Sequence, residues 1–207
     1  MGHTASAEDT PECPELDCLR EVEVSAQGYN NQALKVPMSI STQSGTMLDR
    51  KRIHSLAELA IDTPGVSFYE EGPGKASFNI RGISSAVGAS TVSILLDDIS
   101  LTSFNTFQIN PDLYDLERTE ILRGPQGTLY GEGSLGGTIR LVTNKPNFQK
   151  PEVKLRMSEY RPFQSGGASK PDGGYRYDAV LGLPLIKDRV AFRAGVSQSR
   201  DGGYIDQ

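Results

Sequence analysis

Tryptophan is absent from this 207-residue sequence, and histidine and cysteine occur only twice each. Each scarcity removes a class of function. His3 and His54 both precede every other candidate group, so no catalytic triad or histidine-rich metal cluster emerges. Cys13 and Cys18, in "ECPELDC", leave two readings open, a small disulfide loop or a pair of incidental thiols. A bridge closing so short a loop would constrain the unfolded chain by roughly 2 kcal/mol. A zinc site would need two further ligands. No apolar run is long enough for a membrane-spanning helix. The opening "MGHTASAEDT" lacks the apolar h-region of a signal peptide, which points to a mature chain or a removed export signal. Basic residues do not exceed acidic ones (21 against 26), and the net charge of −5 argues against a nucleic-acid partner.

Glycine and proline are plentiful, at 22 and 12, while hydrophobic residues reach only 37%. That balance favours turns and short strands. The glycines concentrate in "RGPQGTLYGEGSLGGTIRLVTNKP", where Gly131, Gly133 and Gly136 spell G-x-G-x-x-G. A dinucleotide loop must open a helix whose N-terminal N–H groups hold the pyrophosphate. Here Ile139 and Leu141 instead alternate with Arg140 and Val142, a strand period that Pro146 ends. A kinase-type glycine loop would enter a strand, but too little chain follows for a catalytic lobe. "EEGPGKAS" places Gly74-Lys75 like a phosphate loop, yet Tyr69 stands where its first glycine belongs and Ala76 where Ser or Thr should follow. No nucleotide and no other cofactor is implied.

Residues 1–35 begin acidic, Pro-containing and aperiodic, and are expected to be mobile. Within them "EVEVSAQ" is β-prone, either a sheet edge or a segment donated to another protein's sheet. From Val36 the pattern tightens. "VPMSIST" reads as a strand and "MLDRKRI" as a short helix. "SLAELAIDTPG" carries a capping box, Ser55 to Glu58, and ends at Pro64-Gly65. "VSFY", "SFNIRG" and "VSILLDD" read as strands, Asn110-Pro111 predicts a short helix through "DLYDLER", and "TEILRG" leads into the glycine-rich run. The composite is a small α+β domain over residues 36–146. Beyond Pro146 the alternation lengthens. Val153, Leu155 and Met157 share one face; so do Tyr177, Ala179, Leu181 and Leu183, and so do Val190, Phe192, Ala194 and Val196. These segments approach the roughly 9–11 residues of a tilted membrane strand, and a long loop alternates with the tight "IKD". Three such strands alone would favour an ordinary soluble β-sandwich.

The ordered motifs "EVEVSAQ … LAELAIDTPGV … FNIRG … ILLDDI … DLERTEILRGPQGTLYGEGSLGGTIRLVTNKP" resemble the TonB-dependent outer-membrane receptors, specifically their N-terminal plug domain. The resemblance spans Glu21 to Pro146, and residues 147–207 look like the start of the barrel, about three antiparallel strands of an incomplete wall. In that family a plug closes a barrel of about 22 strands. The resemblance implies a ligand-gated, TonB-energised transporter of a scarce nutrient, most often an iron–siderophore complex, and not an enzyme. It implies an outer-membrane location for the full-length protein. Its partners would be periplasmic TonB, the nutrient ligand, membrane lipid and the remainder of the barrel.

By motif position, Glu21, Val22, Glu23, Val24, Ser25 and Ala26 correspond to the box that pairs with TonB, although Glu23 replaces a residue that is usually apolar. Arg81 and Arg123 correspond to plug–barrel ion pairs, with Glu120 the nearest acid to Arg123 within the plug. The apical ligand loops correspond to stretches holding Gly72, Lys75, Ser84, Ser85, Phe104, Phe107 and Gln108. Gly82, Gly124, Gly131, Gly133, Gly136 and Gly137 are expected to serve tight turns and close backbone approach. A free-standing periplasmic module using the plug fold without a barrel is the alternative reading, and would leave the chain soluble.

Overall fold

Short alternating segments and two well-capped single helices set the architecture. The computed structural model describes residues 23–24, 31–32, 39–70, 76–84, 88–102, 108–160 and 173–200. The chain divides into two units, residues 1–37 and 38–207. In the first, β1 (Glu23–Val24) pairs antiparallel with β2 (Asn31–Gln32).

The second unit begins with β3 (Ser39–Ser44) and α1 (Gly45–Lys51). Ser44 caps α1 by accepting from the Met47 N–H at 3.3 Å. Arg50 and Lys51 complement the negative end of its dipole. Helix α2 (Leu56–Asp62) carries the expected capping box, with Glu58 N–H on Ser55 Oγ at 3.3 Å and Ser55 N–H on Glu58 Oε2 at 3.2 Å. Next come the hairpin β4 (Val66–Glu70) and β5 (Ala76–Ile80), then β6 (Val92–Leu96), β7 (Ile99–Ser100), β8 (Leu116–Arg123), the one-turn helix α3 (Gly127–Tyr130) and β9 (Gly137–Thr143). Five of these strands form one sheet in the order β3-β8-β9-β6-β7, with only β6 and β9 parallel.

One face of that sheet offers Val92, Ile94, Ile121, Ile139 and Leu141 to the core. There they meet Leu48, Leu56 and Leu59 of the helices and Phe78 and Ile80 of the hairpin. Each fully buried aliphatic or aromatic side chain of this kind stabilises the fold by about 1.5–3 kcal/mol. Gly137 is required at the start of β9, because a Cβ there would lie 2.4 Å from the Leu122 carbonyl oxygen.

The helix expected from Asn110-Pro111 does not form. Asn110 Oδ1 instead accepts from Ala57 N–H at 3.4 Å in the first turn of α2, and Leu113 N–H donates to His54 O at 2.7 Å. The segment therefore runs irregularly beneath α2 and enters β8 at Leu116, because its hydrogen-bonding groups find long-range partners before local ones.

Three longer strands follow, β10 (Glu152–Tyr160), β11 (Gly174–Ile186) and β12 (Val190–Arg200), in an antiparallel sheet of that order. The register aligns Leu155 with Ala179 and Val196, Val153 with Leu181 and Ala194, and Leu183 with Phe192. One face is thus apolar across all three strands, and it is open: Leu155 and Met157 are each 77% exposed and Val196 64%. The opposite face carries Lys154, Arg156, Arg176, Asp178, Arg193 and Ser197, and it lies against the preceding α+β domain. The sheet is inside-out relative to a soluble one.

Candidate functional site: the cationic turn, the ligand face and the plug–wall contact

Arg81 sits in a conformation that costs a non-glycine residue about 1–3 kcal/mol. Its φ is 56° and that of Gly82 is 75°, and Ile83 N–H closes the turn onto Ile80 O at 3.1 Å. Two successive left-handed residues make a type I′ turn, which presents the Arg81 side chain outward and exposed. Nearby, Arg123 at the end of β8 donates to Pro64 O at 2.9 Å and reaches Ser39 Oγ at 3.5 Å. Burial, and then the charge of Arg81, lower the affinity of the Arg123 guanidinium for its proton. Two arginines expected to form ion pairs are thus brought together, and among the described residues neither has an acidic partner.

Glu120 is not the partner of Arg123. Residues 120 and 123 are separated by an odd number along β8, so their side chains leave opposite faces of the sheet. Glu120 is fully buried and instead binds Arg118 Nε at 2.8 Å and Arg140 Nη1 at 3.4 Å. Arg140 lies directly across from it on β9 and also reaches Asp98 at 2.8 Å. Sequence reasoning missed Arg118 and Arg140; alternation along β8 (118, 120) was the available signal, but the β9 register was not legible.

The ligand-loop candidates divide. Gly72, Lys75, Ser85, Phe104 and Phe107 lie outside the described residues. Ser84 is exposed beside the cationic turn. Gln108 is buried rather than presented to a ligand. Its amide donates to Val92 O at 2.6 Å and its backbone N–H to Ala76 O at 2.6 Å, so it ties β5 to β6. Where the loops preceding β6 and following β7 converge there is a cleft of about 200 Å³, lined among others by Ser90, Thr102, Tyr130 and Glu132. Burial raises the pKa of the Tyr130 phenol, so it remains a hydrogen-bond donor there. Hydroxyls and one carboxylate suit a ligand rich in polar oxygen and nitrogen atoms.

Of the box at 21–26, Glu23 and Val24 are in strand conformation and the rest lies outside the described residues. Cys13 and Cys18 lie outside them too. Gly131 and Gly133 follow α3 with φ of 73° and 85°, and Gly124 turns the chain at 107°. Gly136 lets the backbone approach Ile83 and Thr91, whose atoms would lie 3.3 Å from a Cβ.

Known proteins match this arrangement. Residues 32–138 match the TonB-dependent Receptor Plug Domain. The chain is 30% identical over 173 residues to the pesticin receptor of Yersinia enterocolitica, covering 83% of this chain and 23% of that protein. It is 32% identical over 152 residues to the ferrichrome outer membrane transporter/phage receptor of Escherichia coli, covering 69% and 20%. Among solved structures, the pyoverdine outer membrane receptor of Pseudomonas aeruginosa superposes with a TM-score of 0.70 at 21% identity, covering 89% of this chain and 25% of that one. The ferric yersiniabactin uptake receptor of Yersinia pestis superposes with a TM-score of 0.61 at 27% identity, over 79% and 24%. The chain spans between a fifth and a quarter of the length of these curated relatives. Family model, relatives and fold thus agree, and the chain belongs to the TonB-dependent receptors of the outer membrane.

Proposed function

We propose that this chain is the plug and opening wall of a ligand-gated outer-membrane transporter energised by TonB, with siderophore-bound iron as cargo. The observation that carries this reading is the inside-out sheet β10–β12 seated on the plug. Its open apolar face suits lipid, and its charged face suits the interior of a barrel. A free-standing soluble plug would leave that apolar face in water, where so large a patch is an aggregation liability.

The roles follow from position and chemistry. The plug (residues 36–146) occludes the pore formed by the remainder of the barrel. The polar cleft by Tyr130 and the loops carrying Gly72, Lys75, Ser84, Ser85, Phe104 and Phe107 receive the ligand on the plug's outer side. Residues Glu21 to Ala26 add a strand to TonB, and main-chain pairing tolerates Glu23 because the backbone supplies the affinity. Arg81 and Arg123 meet carboxylates from later barrel strands, which relieves two cations held close together. No catalytic step is assigned to any residue.

Cellular uptake of radioactive ferric siderophore tests the reading in cells expressing the full-length receptor. Val24→Pro removes one backbone donor from the box. Uptake is expected to fall at least tenfold while ligand binding at the cell surface persists. Uptake that is equal with and without TonB would overturn the transport mechanism. Uptake of haem or cobalamin in place of ferric siderophore would overturn the cargo alone.

A further inference from the structure

In a chain of net charge −5, one corner of the structure gathers positive charge. Lys145 and Lys150 bracket the linker that carries the chain from β9 to β10, and Lys187 and Arg189 flank the tight turn between β11 and β12. Antiparallel pairing puts linker and turn at the same end of the three strands. There they touch. Asp188 N–H donates to Phe148 O at 3.3 Å, and Gln149 Nε2 donates to Asp188 Oδ1 at 3.4 Å. Asn147 Oδ1 fixes the linker's shape by accepting from the N–H groups of Gln149 and Lys150, at 2.8 and 3.1 Å.

All four cations are exposed, and among the described residues none of them is in an ion pair. The acids of this corner are already engaged. Asp188 holds the Gln149 amide, and Glu152 accepts from Asn147 at 3.0 Å and pairs with Arg193 at 2.6 Å. Between linker and turn lies an open depression of about 370 Å³, lined by Pro146, Asn147, Phe148, Gln149 and Asp188. Phe148 is half-exposed there.

What these cations meet follows from where the apolar face stops. Its outward rows run from Tyr177, through Ala179 with Val196, Leu181 with Ala194 and Leu183 with Phe192, to Ile186 with Val190. Four steps of about 6.8 Å cover roughly 27 Å of strand, or roughly 20 Å across a membrane at a tilt of about 40°. The apolar band of an outer-membrane barrel is about 25 Å tall. Ile186 and Val190 therefore close the band, and Lys187 and Arg189, the next residues along the chain, stand at headgroup level. Short turns of such barrels face the periplasm, which assigns this corner to the periplasmic leaflet.

We propose that the linker and the β11–β12 turn together form a binding site for an anionic phospholipid of that leaflet. Lys187 and Arg189, with Lys145 and Lys150 beside them, donate to the phosphate oxygens. One acyl chain lies along Ile186 and Val190, and Phe148 borders the glycerol region. The lipid thereby neutralises a corner that the protein leaves charged, and holds the linker at the membrane surface where β10 begins. The inference rests on reading β10–β12 as barrel wall.

Lipid-selective quenching tests it in the full-length receptor, with Cys13 and Cys18 replaced by serine and a bimane label at position 190. The receptor is reconstituted in phosphatidylcholine vesicles containing an equal mole fraction of either brominated phosphatidylglycerol or brominated phosphatidylcholine. The anionic lipid is expected to quench position 190 about threefold more than the zwitterionic one, because each cation near the surface favours it. A label at position 155, in the middle of the apolar face, is expected to show no preference. Lys187→Gln with Arg189→Gln is expected to abolish the preference at 190, and Lys145→Gln with Lys150→Gln, which leaves the turn intact, to halve it approximately. Equal quenching by the two lipids at 190, or a preference that survives both pairs of substitutions, would overturn the lipid site and leave the wall reading standing. Absence of quenching by either lipid at both 155 and 190 would overturn the wall reading itself, and the site with it.

Discussion

Phe78 on β5 and Leu155 on β10 both sit in strands of strict alternation, yet Phe78 is 1% exposed and Leu155 is 77% exposed. In the plug, the apolar face of the five-stranded sheet turns toward two helices and a hairpin, and water meets the polar edges and loops. In β10–β12 the sense is reversed, with charge toward the plug and hydrocarbon outward. Period alone does not say which side of a strand is the inside; the chemistry of the medium on each side decides. On the proposed reading the plug is built for water outside it and β10–β12 for lipid, and the ion pairs between them lie where the two logics meet.

Truncating the buried side of this comparison should have the largest effect. Phe78→Ala is expected to cost about 3–5 kcal/mol, because a cavity remains beneath the sheet. Leu155→Ala in micelles is expected to cost well under 1 kcal/mol by the same area argument, since detergent contacts replace it. Denaturant unfolding of both variants checks this, and equal losses would erase the distinction between the faces. A charge on the outward face ranks next. Leu155→Arg should disfavour membrane insertion by about 2–4 kcal/mol if residue 155 lies near the bilayer midplane. Folding titrations of the full-length receptor into vesicles measure it.

The smallest expected effect is one of pH. Burial first, then Arg156, lower the pKa of His54 from its ordinary 6.5. Arg176 adds to this, and Glu58 and Asp178 oppose it. The unfolded chain therefore binds this proton more readily than the folded one. The contribution of His54 to stability is full above about pH 6.5 and declines as pH falls below that value. Urea midpoints at pH 7.5 and 5.5 should differ more for the parent than for His54→Asn. Identical differences would remove His54 from the account.

Much of this was legible in the sequence, for local reasons. The capping box at Ser55 and Glu58, the strand after the glycine run and the paired faces of β10–β12 depend on neighbours within a few residues. The Asn110-Pro111 helix failed where Asn110 Oδ1 accepts from Ala57 N–H in the first turn of α2, a partner 53 residues away. Glu120 was matched to Arg123 by proximity in sequence, whereas its partner Arg140 faces it across a strand pair. The ion pairs of Lys154, Arg156, Arg176 and Arg193 with Asp49, Asp112 and Asp115 were illegible for the same reason. Asp49, Asp112 and Asp115 carry no shared motif, and only the docked wall strands bring them to one surface.

On the proposed reading, β10–β12 turn their apolar face to lipid and their charged face to the plug. Bimane labels at positions 155 and 196, and at the inward position 158, in the full-length receptor reconstituted with brominated-chain lipids, test it directly. Strong quenching at 155 and 196 with little at 158 is the predicted result. Equal quenching at all three, or stronger quenching at 158, would contradict the account.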